Sequence, residues 1–228
     1  IFEEDIYSLM DFKGYTSILI RNCTYTSGKD EIEDNLLSFI DSDVDIQGFS
    51  FDFSQLSKRA LLMYPIIQFN SKAPKEIPSN VSISVLGGSF AINEDSPEII
   101  GGIIKSHDYS LNIYDTNIEK ISSFNDDETF IIHFTHTDDL SNTCSISIKD
   151  SSFTEISTVK FIINTNEDIS ISDCFFEDFE ESFLLLNGAK DSKFLNTTFS
   201  KSKQTCISTN KWSTSANDFS SCTFQNIN

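Results

Sequence analysis

The stretch Ile148-Lys149-Asp150-Ser151-Ser152-Phe153-Thr154-Glu155-Ile156 is followed 23 residues later by Ile171-Ser172-Asp173-Cys174-Phe175-Phe176-Glu177-Asp178-Phe179. The two share one frame: apolar, any, Asp, small, any, Phe, any, any, apolar. Its first six positions fit six further places, Ile20 to Tyr25, Ile46 to Phe51, Val85 to Phe90, Ile113 to Ile118, Phe194 to Phe199 and Phe219 to Phe224. The sixth position is aromatic in seven of the eight copies, Ile118 being the exception, and this accounts for much of the excess of 21 Phe over one Trp. Self-similarity of this kind identifies a repeat architecture before any single element is assigned.

The local pattern is that of strands. Ile18 and Ile20, Ile83 and Val85, Leu111 and Ile113, Ile146 and Ile148, and Ile169 and Ile171 alternate with mostly polar residues, the period of a strand with one buried face. The third position of the frame is Asp, Asn, Gly or Ser in every copy, residues that tolerate the left-handed conformation at a bend. Successive sixth positions lie 26, 39, 28, 35, 23, 23 and 25 residues apart. The shortest spacings set the unit and the longer ones are insertions. Between the copies lies a second apolar segment, as in Leu36 to Ile40, Leu61 to Tyr64, Ile99-Ile100, Phe130 to Phe134, Phe161 to Ile163, Phe183 to Leu186 and Cys206-Ile207.

A unit of about 23 residues holding two or three strands between polar bends is one coil of a parallel β-helix, with coils about 4.8 Å apart. The expectation is therefore an all-β, single-domain right-handed parallel β-helix solenoid of about eight coils over residues 1–228, a rod of roughly 38 Å. The fourth position, Cys23, Phe49, Gly88, Thr116, Ser151, Cys174, Thr197 and Cys222, forms an inward column of small residues in which Phe49 is the misfit. A leucine-rich repeat is set aside because its Leu-x-x-Leu-x-Leu frame and helical face are absent. A β-sandwich needs no common motif in a common frame.

Composition narrows the function. With 16 Lys+Arg against 35 Asp+Glu the net charge is −19, which argues against nucleic-acid binding and against anionic membrane surfaces. No apolar run reaches the roughly 18 to 20 residues of a spanning helix. The opening Ile1-Phe2-Glu3-Glu4-Asp5 reads as the start of an excised segment of a longer chain, whose remainder would adjoin both ends.

These units resemble the right-handed parallel β-helix repeats of the pectate-lyase superfold. Their Phe-rich, acidic and loosely spaced character resembles the polymorphic membrane protein-like surface proteins of pathogens. Gly87-Gly88-Ser89-Phe90 and Gly101-Gly102-Ile103-Ile104 approach that group's Gly-Gly-Ala-Ile tetrapeptide, and Phe224-Gln225-Asn226 and Phe194-Leu195-Asn196 are one residue short of its Phe-x-x-Asn. The superfold also implies a rival function, since many of its members are polysaccharide lyases or glycoside hydrolases.

The rival requires two or three carboxylates converging on one groove. Candidates are Asp126-Asp127, Asp138-Asp139 and the group Glu177, Asp178, Glu180 and Glu181, but adjacent strand residues point to opposite faces. The hydrolase set is incomplete: there is no Gly-His-Gly, and neither Arg21 nor Arg59 lies in an Arg-x-Lys. Arg21 reads as an outward strand residue and Arg59 as a loop residue. His133 and His136, three apart, fall on opposite faces, and with His107 they read as surface or bend residues rather than metal ligands. No Gly-x-Ser-x-Gly elbow supports a catalytic triad.

The five cysteines, Cys23, Cys144, Cys174, Cys206 and Cys222, show no zinc spacing. Cys174 and Cys222 would be about 9 to 10 Å apart, too far for a disulfide. At most one pair involving Cys206 or Cys144 fits. Asn22-Cys23-Thr24, Asn80-Val81-Ser82 and Asn196-Thr197-Thr198 are N-glycosylation acceptors if the chain enters a eukaryotic secretory route. Calcium is the ion the acidic bends would suit, yet no calcium-loop motif occurs.

The expectation is a non-enzymatic extracellular or cell-surface module with no catalytic, cofactor or metal site, serving as a stalk or as an adhesive surface for a host or cell-surface protein or glycan. The insertions Ser71 to Asn80 and Asp138 to Thr143 are the candidate contact loops.

Overall fold

The computed structural model describes residues 9–26, 31–32, 35–54, 61–62, 64–90, 102–123, 130–135, 144–157, 160–164, 168–179, 184–187, 191–203, 206–210 and 217–227. Every pairing between strands among them is parallel. Parallel neighbours separated by a full coil, and no helix, make this an all-β parallel solenoid.

Three sheets run along the rod, each of eight rungs. The first holds Met10–Lys13, Leu37–Ile40, the start of Pro65–Phe90, the start of Gly102–Tyr114, Phe130–Thr135, Lys160–Asn164, Leu184–Asn187 and Ile207–Asn210. The second holds Ile18–Arg21, the start of Val44–Asp52, the middle of Pro65–Phe90, the end of Gly102–Tyr114, Ile146–Lys149, Ile169–Ser172, Ser192–Leu195 and Asn217–Ser220. The third holds Thr24–Thr26, the end of Val44–Asp52, the end of Pro65–Phe90, Asn117–Ser123, Ser152–Ser157, Phe175–Phe179, Thr198–Ser202 and Thr223–Gln225.

The corners between sheets are built from positive φ. Asn22, Gly48, Asp115, Asp150, Asp173, Asn196 and Ser221 take φ between 44° and 66° where the second sheet passes into the third. These are the third positions of the frame. Gly14, Asp41 and Asp108 turn the first sheet into the second in the same way, and Gly87, Lys120, Glu155, Asp178, Lys201 and Asn226 close the far end of the third-sheet strands. Among the described residues all thirteen non-glycine positions at positive φ lie on these three corner lines.

The small fourth-position residue bonds the carbonyl that precedes the left-handed residue. Cys23, Thr116, Ser151, Cys174, Thr197 and Cys222 each donate to the carbonyl two residues back, at 3.3, 3.2, 2.7, 3.1, 3.0 and 3.7 Å. The hydroxyls also accept from the neighbouring rung, Ile83 N–H on Thr116 Oγ1 at 3.3 Å and Thr116 N–H on Ser151 Oγ at 3.2 Å. The column is thus mostly small because it sits at a corner, and its donors give the corner carbonyls a second bond beside the ladder bond that Ser172, Leu195 and Ser220 receive from the N–H groups of Asp150, Asp173 and Asn196.

Beside it the sixth-position rings stack. Phe153, Phe176, Phe199 and Phe224 follow one another at 5.0, 5.0 and 5.1 Å with interplanar angles of 11°, 11° and 7°. Phe12, Phe39 and Phe69 make a second stack in the first sheet, at 5.6 and 5.2 Å. The ring spacing follows the rung spacing, so each ring covers the next along the axis.

The third copy of the frame is not where its residues suggest. Ile46 pairs with Val81 and Phe51 with Val85, with a register shift between Gln47 and Phe49, so this copy runs from Val81 to Val85 and lacks the corner residue. Ile83, not Gly88, lies beside Phe49 in the fourth-position column, and both are buried. Gly87-Gly88 imitates the polar bend, and Phe90 the sixth-position ring, because Gly87 does turn a corner, at φ 70° on the third line. Phe90 instead pairs with Leu62 on a short extra ladder that continues to Glu31–Ile32.

Asp150, at φ 49°, carries the corner test. Asp150→Val should destabilise by about 1–2 kcal/mol because a branched Cβ is unfavourable in the left-handed region, while Asp150→Gly should stay close to the parent. Equal urea midpoints for Val and Gly would show that the corner conformation is not the constraint described here.

Candidate functional site

Two connections on the first corner line are longer than the rest. Four steps carry the chain from Ile40 to Val44 and from His107 to Leu111, but nine from Asn70 to Ser79 and eleven from Thr135 to Ile146. The two longer connections follow the first-sheet strands of the third and fifth rungs, on the same corner line and two rungs apart. Of the second insertion, Asp138 to Thr143 lies outside the described residues. In the first, Lys72, Ala73 and Glu76 are exposed and Ile77 is 75% exposed, while Ser71 and Ser79 at its ends are buried.

The first insertion is tied down at several points. Asp41 Oδ1 accepts from the Lys72 N–H at 3.0 Å and from the Ser71 hydroxyl at 2.8 Å, and these two bonds hold its pKa below the usual carboxylate value. Lys75 Nζ reaches Asp43 at 2.7 Å and sits 5.7 Å from the centre of the Tyr109 ring. The Cys144 thiol donates to the Lys75 carbonyl at 3.8 Å. Most of these contacts are at the surface and each contributes little.

At the insertion Tyr109 of rung four, register-paired with Lys75, reaches past rung three. Its ring is fully buried and 5.5 Å from Phe69. Its hydroxyl donates to the Ser42 carbonyl at 2.9 Å and accepts from the Ser42 N–H at 2.6 Å, a tie across 67 residues. Burial pushes the phenol up to about 12, with Asp41 and Asp43 adding to the effect and the Ser42 bond opposing it.

On the same corner line His107 Nδ1 lies 3.0 Å from Thr135 Oγ1, and its Nε2 lies 3.4 Å from Oδ2 of the buried Asp108. A hydroxyl, an imidazole and a carboxylate in a chain invite comparison with nucleophile activation. However, Thr135 Oγ1 also donates to the Ser106 carbonyl at 3.3 Å. The same hydroxyl thus bonds the backbone of the adjacent rung as well as the ring, and its role toward Nδ1 follows the imidazole tautomer. The arrangement ties two rungs together.

The other residues singled out in the sequence are dispersed. His133 is half-buried between Ile132 and Phe134, its ring 4.8 Å edge-on to Phe130, and burial followed by the nearby Lys105 lowers its pKa to about 4. Glu177 pairs with Lys201 at 2.8 Å and Asp178 stands at a corner. Arg21 is exposed on the outer face of its strand. Asp126, Asp127, Asp138, Asp139, Glu180, Glu181, Arg59 and His136 lie outside the described residues. Among the described residues no three His, Cys, Asp or Glu side chains are placed to share a metal ion.

All five cysteines are free thiols. Cys174 is buried, and burial pushes its thiol up to about 11, which suits a corner donor rather than a nucleophile. The insertion Ser71 to Asn80 was visible as an irregular spacing, but its partners Asp41, Asp43 and Tyr109 carry no motif. Comparison with protein-family models, curated proteins and solved structures finds no match to this chain.

Tyr109→Phe should destabilise by about 1–3 kcal/mol, since it leaves both backbone groups of the buried Ser42 without their partner. An unchanged denaturation midpoint would refute the tie. His133 is neutral in the fold and takes up a proton in the unfolded chain, so its contribution is complete above pH 6.5 and is lost as pH falls towards 4. Lowering the pH from 7 to 4.5 should therefore change the stability difference between His133→Gln and the parent in favour of the variant. A difference independent of pH would contradict this.

Proposed function

We propose that this chain is a non-enzymatic module of a surface-exposed or secreted protein, a β-helix of the pectate-lyase type resembling the polymorphic membrane protein-like group. It serves as a stalk carrying an adhesive edge. The observation that carries the reading is the coincidence of the two long connections on one corner line, with the apolar Ile77 at 75% exposure on the first. A rod whose departures from the repeat all lay on different faces would give no single contact edge. Here the departures share one edge, and the tethers on Asp41, Asp43 and Tyr109 hold the first of them in a defined position.

Conserving the rod while varying the connections is the usual way a solenoid presents a binding surface. The titratable groups support the same reading. Tyr109 and Cys174 are shifted up and His133 down, each chiefly by burial, and the first two already serve backbone groups of the wall. The partner class is a host or cell-surface glycan or protein.

The test is a glycan array together with a degradation assay on acidic and neutral polysaccharides, with and without calcium, comparing the parent with Ile77→Asp. Ile77 is exposed, so its substitution leaves the rod intact. Binding without chain cleavage, weakened about tenfold or more by Ile77→Asp, is the expected result (about 1.4 kcal/mol). Cleavage of any polysaccharide would establish the carbohydrate-active alternative instead, and binding insensitive to Ile77→Asp would remove the insertion from the contact edge.

A further inference from the structure

Two of the three Asn-x-Thr/Ser sequences occupy equivalent places. Asn22 and Asn196 both stand on the second corner line, on rungs one and seven, both exposed and both at positive φ, 48° and 49°. Six rungs at the parallel spacing put them roughly 29 Å apart on one ridge. At each, the residue that follows points into the rod, Cys23 partly buried and Thr197 fully, while Thr24 is exposed and Thr198 half-buried. The sequence rule thus falls on an outward corner in both copies.

We propose that Asn22 and Asn196 are acceptors of N-linked oligosaccharides, and that the ridge they share is the glycan-covered side of the rod. The inference rests on the reading of the chain as a secreted or surface module. The donor is a lipid pyrophosphate-linked oligosaccharide. The bond from sugar C1 to the phosphate oxygen breaks and that from C1 to the asparagine Nδ2 forms, with the lipid pyrophosphate leaving and one Nδ2 proton lost.

Local structure accommodates the product. The Asn196 amide carries two hydrogens and uses one to donate to Asp173 Oδ1 at 2.8 Å, so substitution of the other leaves that bond in place. Beside Asn22 the next rung has Gly48 at the corner, and a Cβ added there would lie only 3.2 Å from Asn22 Oδ1. The neighbour that could crowd the carboxamide is therefore the residue without a side chain.

Asn80 differs on each point. It is half-buried in mid-sheet, register-paired with Asp45 on one side and Asn112 on the other, and its Oδ1 accepts from Asn112 Nδ2 at 3.2 Å. A glycan there would have to leave between two strand neighbours about 5 Å away on either side. Covering the second corner line leaves the first, with its two long connections, free of glycan.

The experiment expresses the full chain behind a secretion signal in eukaryotic cells. Glycans are released enzymatically in ¹⁸O-water and the labelled aspartates are mapped by mass spectrometry, in both the secretory compartments and the medium. Label at positions 22 and 196 with little at 80, and one mobility step lost in each of Asn22→Gln and Asn196→Gln, is the expected result. Absence of label at either position in the folded, secreted protein, or label chiefly at 80, would overturn the proposal. Because the map does not depend on ligand binding, a failed adhesion assay and a failed glycan assignment remain separate results.

Discussion

The interaction on which this architecture depends is the closure of a left-handed corner by the side chain that follows it. A strand that turns sharply at Asp150 or Asp173 leaves the preceding carbonyl with a lone pair beside the inward column, while the other serves the ladder, as the Ser172 carbonyl does for the Asp150 N–H. A residue with a donor one atom beyond Cβ, too small to disturb the corner, satisfies it. Ser151, Thr116 and Thr197 do so with hydroxyls, and Cys23, Cys174 and Cys222 with thiols. Cysteine in this protein is thus partly a corner residue, which explains three of its five positions without chemistry.

Around that corner the rest is arranged by register. Once equivalent corners are superposed, sixth-position residues stand directly over one another, and rings at the rung spacing are held nearly parallel. Phenylalanine suits the column because it covers its neighbours with apolar surface and carries no polar atom to be satisfied inside. Aliphatic Val85 and Ile118 interrupt the column where the third copy loses its corner residue and where the next rung adjoins it.

The irregular third rung shows how the fold tolerates an insertion. Between Asn70 and Ser79 only Lys75 keeps its pairing with rung four, at Tyr109, and Tyr109 reaches from rung four to the backbone of Ser42 on rung two. A long side chain with a polar tip suits the place, because the buried Ser42 presents both an N–H and a C=O to be bonded. The same insertion brings Lys72 and Lys75 beside Asp41 and Asp43, so part of the acidic charge is balanced at the edge where the rod is most irregular.

What the sequence by itself determined is whatever repeats locally: period-two strands, a left-handed-tolerant residue at the third frame position, a small residue at the fourth and a ring at the sixth. These reflect constraints within a few bonds, so each copy states them independently, and together they specified an all-β parallel solenoid. Tertiary structure alone decided three things. The third copy shifted from Val85–Phe90 to Val81–Val85, because pairing with Val44–Asp52 outweighs a locally plausible Gly-Gly bend. Lys120, Glu155 and Lys201 took positive φ although their types do not favour it, because ladders on both sides align them with Gly87 and Asp178. The Tyr109–Ser42 tie joined residues 67 apart, since only the stacking of coils brings the two within reach.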